Sequence, residues 1–198
     1  MSYIFVGLGN PGLEYQNTRH NTGRMLLEWF GKSAGRVDAE WKLDKKLNAQ
    51  IAKVKVGKTA VTLVLPETFM NNSGKSVKSL VTSIKSAEKM MVIYDDLDLP
   101  FGNSKISFNK SSGGHKGLDS IIKAIKTEKF ARVRVGISPA SPKLRRASPN
   151  KDKVVEKIIM GKWKPDELAE LKKLSKKVNE ALETFVSFGL EKTMTEFN

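Results

Sequence analysis

Residues 3–8, Tyr-Ile-Phe-Val-Gly-Leu, form an unbroken apolar run that stops at Gly9-Asn10-Pro11-Gly12. A strand that is apolar on both sides has to lie inside a sheet covered on both faces, so this run predicts a central strand ending in a tight turn. Beyond loop 9–19, Met25, Leu26, Trp29 and Phe30 recur at helical spacing, with Asn21 or Thr22 as cap and Gly31 or Gly35 as stop. Residues 48–56 and 59–65 are β-branched and roughly alternating, and Gly57-Lys58 between them reads as a hairpin. A helix over about 74–84 leads to a second continuous apolar run, MMVIYDD, at 90–96. Residues 103–109 and 130–137 read as further strands around a helix near 117–127. This alternation predicts an α/β fold: one domain with a twisted mixed sheet, parallel and antiparallel, flanked by helices on both faces.

The length of 198 residues suits one domain rather than two independently cored ones. From Ser138 to Lys153 the composition turns to Ser, Pro, Lys and Arg, which predicts a mobile basic loop. Residues 165–188 open with Pro-Asp-Glu and carry Leu168, Leu171, Leu174, Val178, Leu182 and Phe185 on one stripe, an amphipathic helix that ends at Gly189. Lys and Arg total 35 against 21 Asp and Glu, a formal charge of +14, so the surface must attract polyanions such as nucleic acid or acidic lipid. Half of that excess falls between Lys143 and Lys177. With no cysteine, disulfide frameworks, thiolate metal sites and cysteine nucleophiles are excluded together. No basic leader precedes the first apolar run and no stretch is long enough to span a bilayer, which leads us to expect a soluble, cytoplasmic protein.

Gly7-Leu8-Gly9-Asn10-Pro11-Gly12 fits G-x-G-x-x-G after a strand. A dinucleotide site is disfavoured because Pro11 removes a donor and the helical pattern starts too far beyond Gly12 to offer its N-terminus to a pyrophosphate. A glycine turn that lets the strand leave the sheet is the plainer alternative. The two histidines, His20 and His115, sit in polar or glycine-rich loops at the ends of predicted elements, where sites are carried. An imidazole acting as a base near neutral pH needs an acceptor on its second nitrogen, and Asp95 and Asp96 emerge at a strand end to supply one. Asp95, Asp96 and Asp98 also suit a turn before Pro100 and Gly102. Asn71 and Asn72 follow another strand: one can cap a helix, the other donate to a carbonyl or developing oxyanion. Ser73, Ser111 and Ser112 lie outside any nucleophile elbow, which favours direct attack by water over an acyl-enzyme.

In this order, GLGNPGLEYQNTRHNTG, PETFMNNSGK, DDLDLPFG, GGHKGL and FARVRVGI resemble the bacterial peptidyl-tRNA hydrolase family along nearly the whole chain. The resemblance implies a cytosolic, metal- and cofactor-independent, usually monomeric esterase that cuts the ester between a peptide and the 3′ ribose of tRNA. Peptidyl-tRNA is then the partner of the basic surface. Carried over by motif, His20 resembles the catalytic histidine and Asp95 its partner, while Asn10 and Asn71 resemble the amides that hold the peptide and the scissile region. Tyr15 could pack on the aminoacyl part or the terminal base, and Arg134 matches a basic position near the acceptor phosphate. His115 and Lys116 fall in the substrate-binding GGHKGL segment, where the family's usual GGHNGL has asparagine in place of Lys116. Ser107 stands where the family often has lysine, with Lys105 and Lys110 nearby. The resemblance leaves one alternative, a non-catalytic RNA-binding protein of the kind that relatives recruited to splicing represent.

Overall fold

A computed structural model describes residues 2–33, 40–138 and 151–198. Among these, β1 (Tyr3–Gly7), β2 (Lys42–Asp44), β3 (Ala49–Val56), β4 (Thr59–Pro66), β5 (Met90–Pro100), β6 (Ser104–Phe108) and β7 (Ala131–Ser138) form one sheet in the order β2-β3-β4-β1-β5-β7-β6. The helices are α1 (Thr22–Gly31), α2 (Ile84–Ala87), α3 (Lys116–Ile125), α4 (Lys151–Met160), α5 (Pro165–Phe188) and α6 (Leu190–Phe197). As the sequence predicts, the sheet is mixed: β1, β4, β5 and β7 run parallel, while β2–β3–β4 and β6–β7 pair antiparallel.

Successive residues of the central strands feed opposite layers, which explains their unbroken apolar runs. Phe5, Met91, Ile93 and Val133 pack with Leu27 and Phe30 of α1 and with Leu171, Val178, Leu182 and Phe185 of α5. Val6, Met90, Val92 and Tyr94 pack on the other face with Met70 and with Leu118 and Ile121 of α3. From β1 the chain reaches β4 on one side and β5 on the other. The carboxyl ends of the parallel strands therefore flank a point where the strand order reverses, the usual place for a crevice in an α/β sheet. No helix among the described residues is long and apolar enough to cross a membrane.

Three local expectations change. The helix expected over 74–84 is a 3₁₀ segment at Met70–Ser76 followed by turns, and only Ile84–Ala87 is α-helical. Gly74 lies so close to α3 that an added Cβ would stand 2.2 Å from the Ser120 carbonyl oxygen, so this segment follows the surface of α3. The acidic stretch expected to turn before Pro100 continues β5 instead, with a register shift between Asp96 and Pro100. Of the basic loop expected at 138–153, Ser138 ends β7 and Lys151 onwards belongs to α4, because Val154, Val155, Ile158 and Ile159 give that segment an apolar side. Residues 139–150, like Gly35, lie outside the described residues.

Candidate active site

The loop after β1 is fixed by Asn21. Its Oδ1 accepts from the Asn10 backbone N–H and its Nδ2 donates to the Asn10 carbonyl, both at 2.9 Å. Asn21 occupies the cap position of α1, yet its amide is committed to Asn10 and makes no cap bond. Asn10 in turn accepts the Met70 backbone N–H on its Oδ1 at 2.7 Å. That bond sets the carboxamide orientation and leaves Nδ2 as a donor unused among the described residues. On the other side of the loop, the Arg19 guanidinium lies 4.0 Å from the centre of the Trp163 ring and pairs with Glu167 at 2.6 Å. Trp163 donates its indole N–H to Thr22. The turn Arg19–Asn21 that carries His20 is thus held between α1 and α5.

His20 is buried, and its Nδ1 lies 3.1 and 3.0 Å from the two carboxylate oxygens of Asp95, at the end of the apolar part of β5. Asp95 also accepts from His115 Nε2 at 3.0 Å, and His115 Nδ1 accepts the Leu118 N–H at 3.3 Å, capping α3. Both nitrogens of His115 are therefore committed, in the tautomer protonated on Nε2. His20 has Nδ1 on the carboxylate and makes no hydrogen bond through Nε2 within the described residues. Burial alone would lower the His20 pKa, but the charge of Asp95 and the hydrogen bond that His20 donates to it outweigh that and raise it, against a smaller opposing push from Lys116. Burial favours protonated Asp95, but the two imidazoles reverse this and hold its pKa well below the usual carboxylate range.

His20, Asp95, His115, Lys116 and Arg134 line one cavity of about 640 Å³, together with Tyr94 and the loop 110–114. Arg134 donates through Nε to Asp96 at 2.7 Å, and Asp96 also accepts the Asp98 N–H. Asn71 is exposed and lines a neighbouring groove of about 400 Å³ with Asn72, Lys75 and Lys123. Lys116 borders both spaces. Tyr15 stands apart from the cavity, edge-to-face with Phe69 at 6.3 Å between centroids. Asn10 adjoins the site through Met70 without lining the cavity. The ring nitrogens of His20 and His115 and the Asp95 carboxylate lie within 4.8 Å of one another, close enough to share a cation. Those atoms already satisfy one another as a hydrogen-bonded network, which makes the arrangement suited to proton transfer. The G-x-G-x-x-G segment opens only a three-residue 3₁₀ turn, Leu13–Tyr15, and α1 begins at Thr22.

A sequence profile of peptidyl-tRNA hydrolases matches residues 4–198. The chain belongs to the peptidyl-tRNA hydrolase family. Family members from Herpetosiphon aurantiacus and Aquifex aeolicus are 40% and 37% identical to it, covering 99% and 98% of this chain and 90% and 95% of theirs. The crystal structure of the Acinetobacter baumannii peptidyl-tRNA hydrolase superposes with a TM-score of 0.85 at 28% identity, over 100% of this chain and 94% of that one. Beside the residues that the family motifs indicate, the fold places three others at the site. Asn21 and Tyr94 give no sequence signal beyond their neighbours, whereas Arg132 is marked by its alternation with Arg134 along β7.

Proposed function

We propose that this protein is a peptidyl-tRNA hydrolase in which His20 activates water for attack on the ester joining the peptide to the 3′ ribose of tRNA. The observation that carries this reading is the buried His20–Asp95 pair opening on a cavity with Nε2 unused, in a chain of this family. In the attacking step, water gives a proton to Nε2 as its oxygen bonds the carbonyl carbon, and Asp95 stabilises the imidazolium that forms. Collapse of the tetrahedral species breaks the bond from carbon to ribose oxygen, and His20 returns the proton to that oxygen. The products are tRNA with its 3′ hydroxyl restored and the peptide's free carboxyl group, which gives up the remaining proton of the water to solvent as a carboxylate. Asn10 Nδ2 is the amide donor whose orientation is fixed, and it supplies the peptide next to the ester with a hydrogen bond. Asn71, in the adjoining groove, holds the peptide beyond the ester, and Lys116 meets substrate where the two spaces join. His115 works through Asp95 and α3 as a positioning residue, and Tyr15 provides an aromatic face at the rim. Arg134 supplies positive charge for the acceptor end.

The names of the relatives favour hydrolysis over the non-catalytic RNA-binding alternative. Incubation with N-acetylaminoacyl-tRNA should release the acylated amino acid, and His20→Asn should lower kcat by ~10²–10⁴, the usual contribution of a general base. No release by the parent protein, or an unchanged kcat in the variant, would overturn the reading.

A further inference from the structure

Arg19, the residue before His20, is a buried arginine that takes no part in the chemistry proposed above. Its guanidinium stands over the Trp163 ring, pairs with Glu167 of α5 and donates to the Ile137 carbonyl of β7 at 3.4 Å. Trp163 in turn lies 4.9 Å from the ring of Phe101, directly beyond β5, the strand that carries Asp95. The main chain adds a second attachment. The Arg19 N–H donates to the Gly161 carbonyl and the Trp163 N–H to the Asn17 carbonyl, both at 2.9 Å, so that Thr18 and Lys162 form an antiparallel bridge. One residue thus ties the turn of His20 to the junction of α4 and α5 at 161–164, to β7 and to the end of β5. A planar guanidinium can meet a ring face, a carboxylate and a carbonyl at once, which makes the attachment geometrically exacting.

α4 stands on the far side of that junction. Its main contacts are with the turn Arg19–Asn21 and with β7, and its Val155 and Ile159 line the cavity. Substrate filling the cavity therefore touches α4, and α4 touches the turn that bears the base.

We propose that Arg19 is a positioning residue that couples α4 to His20: substrate lying against α4 fixes the junction and, through Arg19, holds the imidazole on Asp95. This rests on the hydrolytic reading above and extends it to a side chain that does not line the cavity. Contacts made away from the ester then appear in kcat, because they align the base.

The chain has two histidines, so the His20 ring can be followed by NMR without turnover. In Arg19→Met the His20 pKa should fall, since the imidazole drifts from the carboxylate that raises it while burial and Lys116 still lower it. In steady-state hydrolysis of N-acetylaminoacyl-tRNA the same variant should lose ~10–10²-fold in kcat with KM nearly unchanged. Glu167→Gln keeps the shape of the partner but removes its charge; should Arg19→Met fold poorly, it should show the same pattern more weakly. Coupling is read from a double-mutant cycle: Val155→Ala should lower kcat several-fold in the parent and add nothing in Arg19→Met. A lower Tm with His20 pKa and kcat unmoved in both variants would make Arg19 a structural residue and overturn the proposal. So would additive losses in the cycle, which would mean that α4 and Arg19 act independently. Failure of the hydrolytic reading would look different, since the parent would release no acylated amino acid while the His20 pKa still fell in Arg19→Met.

Discussion

His20 lies between two opposing charges, and each can be removed separately. Its pKa is raised although burial lowers it, because Asp95 lies 3.0 Å from Nδ1, while Lys116 pushes the other way. A base must be neutral to accept a proton, so kcat/KM should fall as pH drops through the raised pKa. Asp95→Asn removes the charge that raises it, leaves burial unopposed and should move this acid limb to lower pH. The same change lets Nδ1 accept instead of donate, so the plateau should also drop, on the order of 10²-fold or more. Lys116→Asn removes the opposing cation and should move the limb to higher pH. Profiles from pH 5 to 9 for the parent and both variants check this: limbs that shift in the same direction, or stay in place, would show that these charges do not tune His20.

The loop bearing His20 is placed by α1, and α1 is placed by a contact that leaves no room for a side chain. A Cβ on Gly23 would lie 2.1 Å from the Ile93 carbonyl oxygen on β5. Gly23→Ala should therefore lift the helix from the sheet and destabilise the protein by ~1–3 kcal/mol, read as a lower Tm, with a loss of kcat as His20 moves from Asp95. An unchanged Tm would show that α1 docks less tightly than the backbone spacing implies. Elements of this kind were readable in the sequence to the extent that their pattern was their own. The runs at 3–8 and 90–96, the hairpin 49–66 and the amphipathic stripe of α5 follow from local period and punctuation. The segment after Met70 misleads, because its path follows α3 through Gly74 and not its own periodicity. Three-residue β2 is too short to carry a pattern. At the site, a histidine and a strand-end aspartate suggested each other by chemistry alone. No local feature reveals that Asn21 fixes Asn10, that His115 shares Asp95, or that Asn71 lines a separate groove, since those depend on loops meeting from distant parts of the chain.

Across the whole molecule, the charge of +14 and the chemistry at His20 should respond to salt in different ways. Lys110, Lys116, Arg132 and Arg134 line the cavity, and Lys75 and Lys123 continue the positive surface into the adjoining groove. A strand laid along these residues releases counterions for each phosphate neutralised, so the logarithm of affinity should fall linearly with the logarithm of salt, by ~0.7–0.9 per contact. With about six contacts this amounts to ~10³ between 50 and 200 mM salt. In the proposed mechanism the proton passes between groups buried in the cavity wall, where mobile ions screen little. KM for peptidyl-tRNA should therefore climb steeply with salt while kcat holds nearly constant, and the slope should flatten for an ester of adenosine alone, which carries no phosphate. A kcat that fell in parallel with affinity would place the salt-sensitive charges at the reacting centre instead, whereas a KM indifferent to salt would separate the basic surface from substrate recognition altogether.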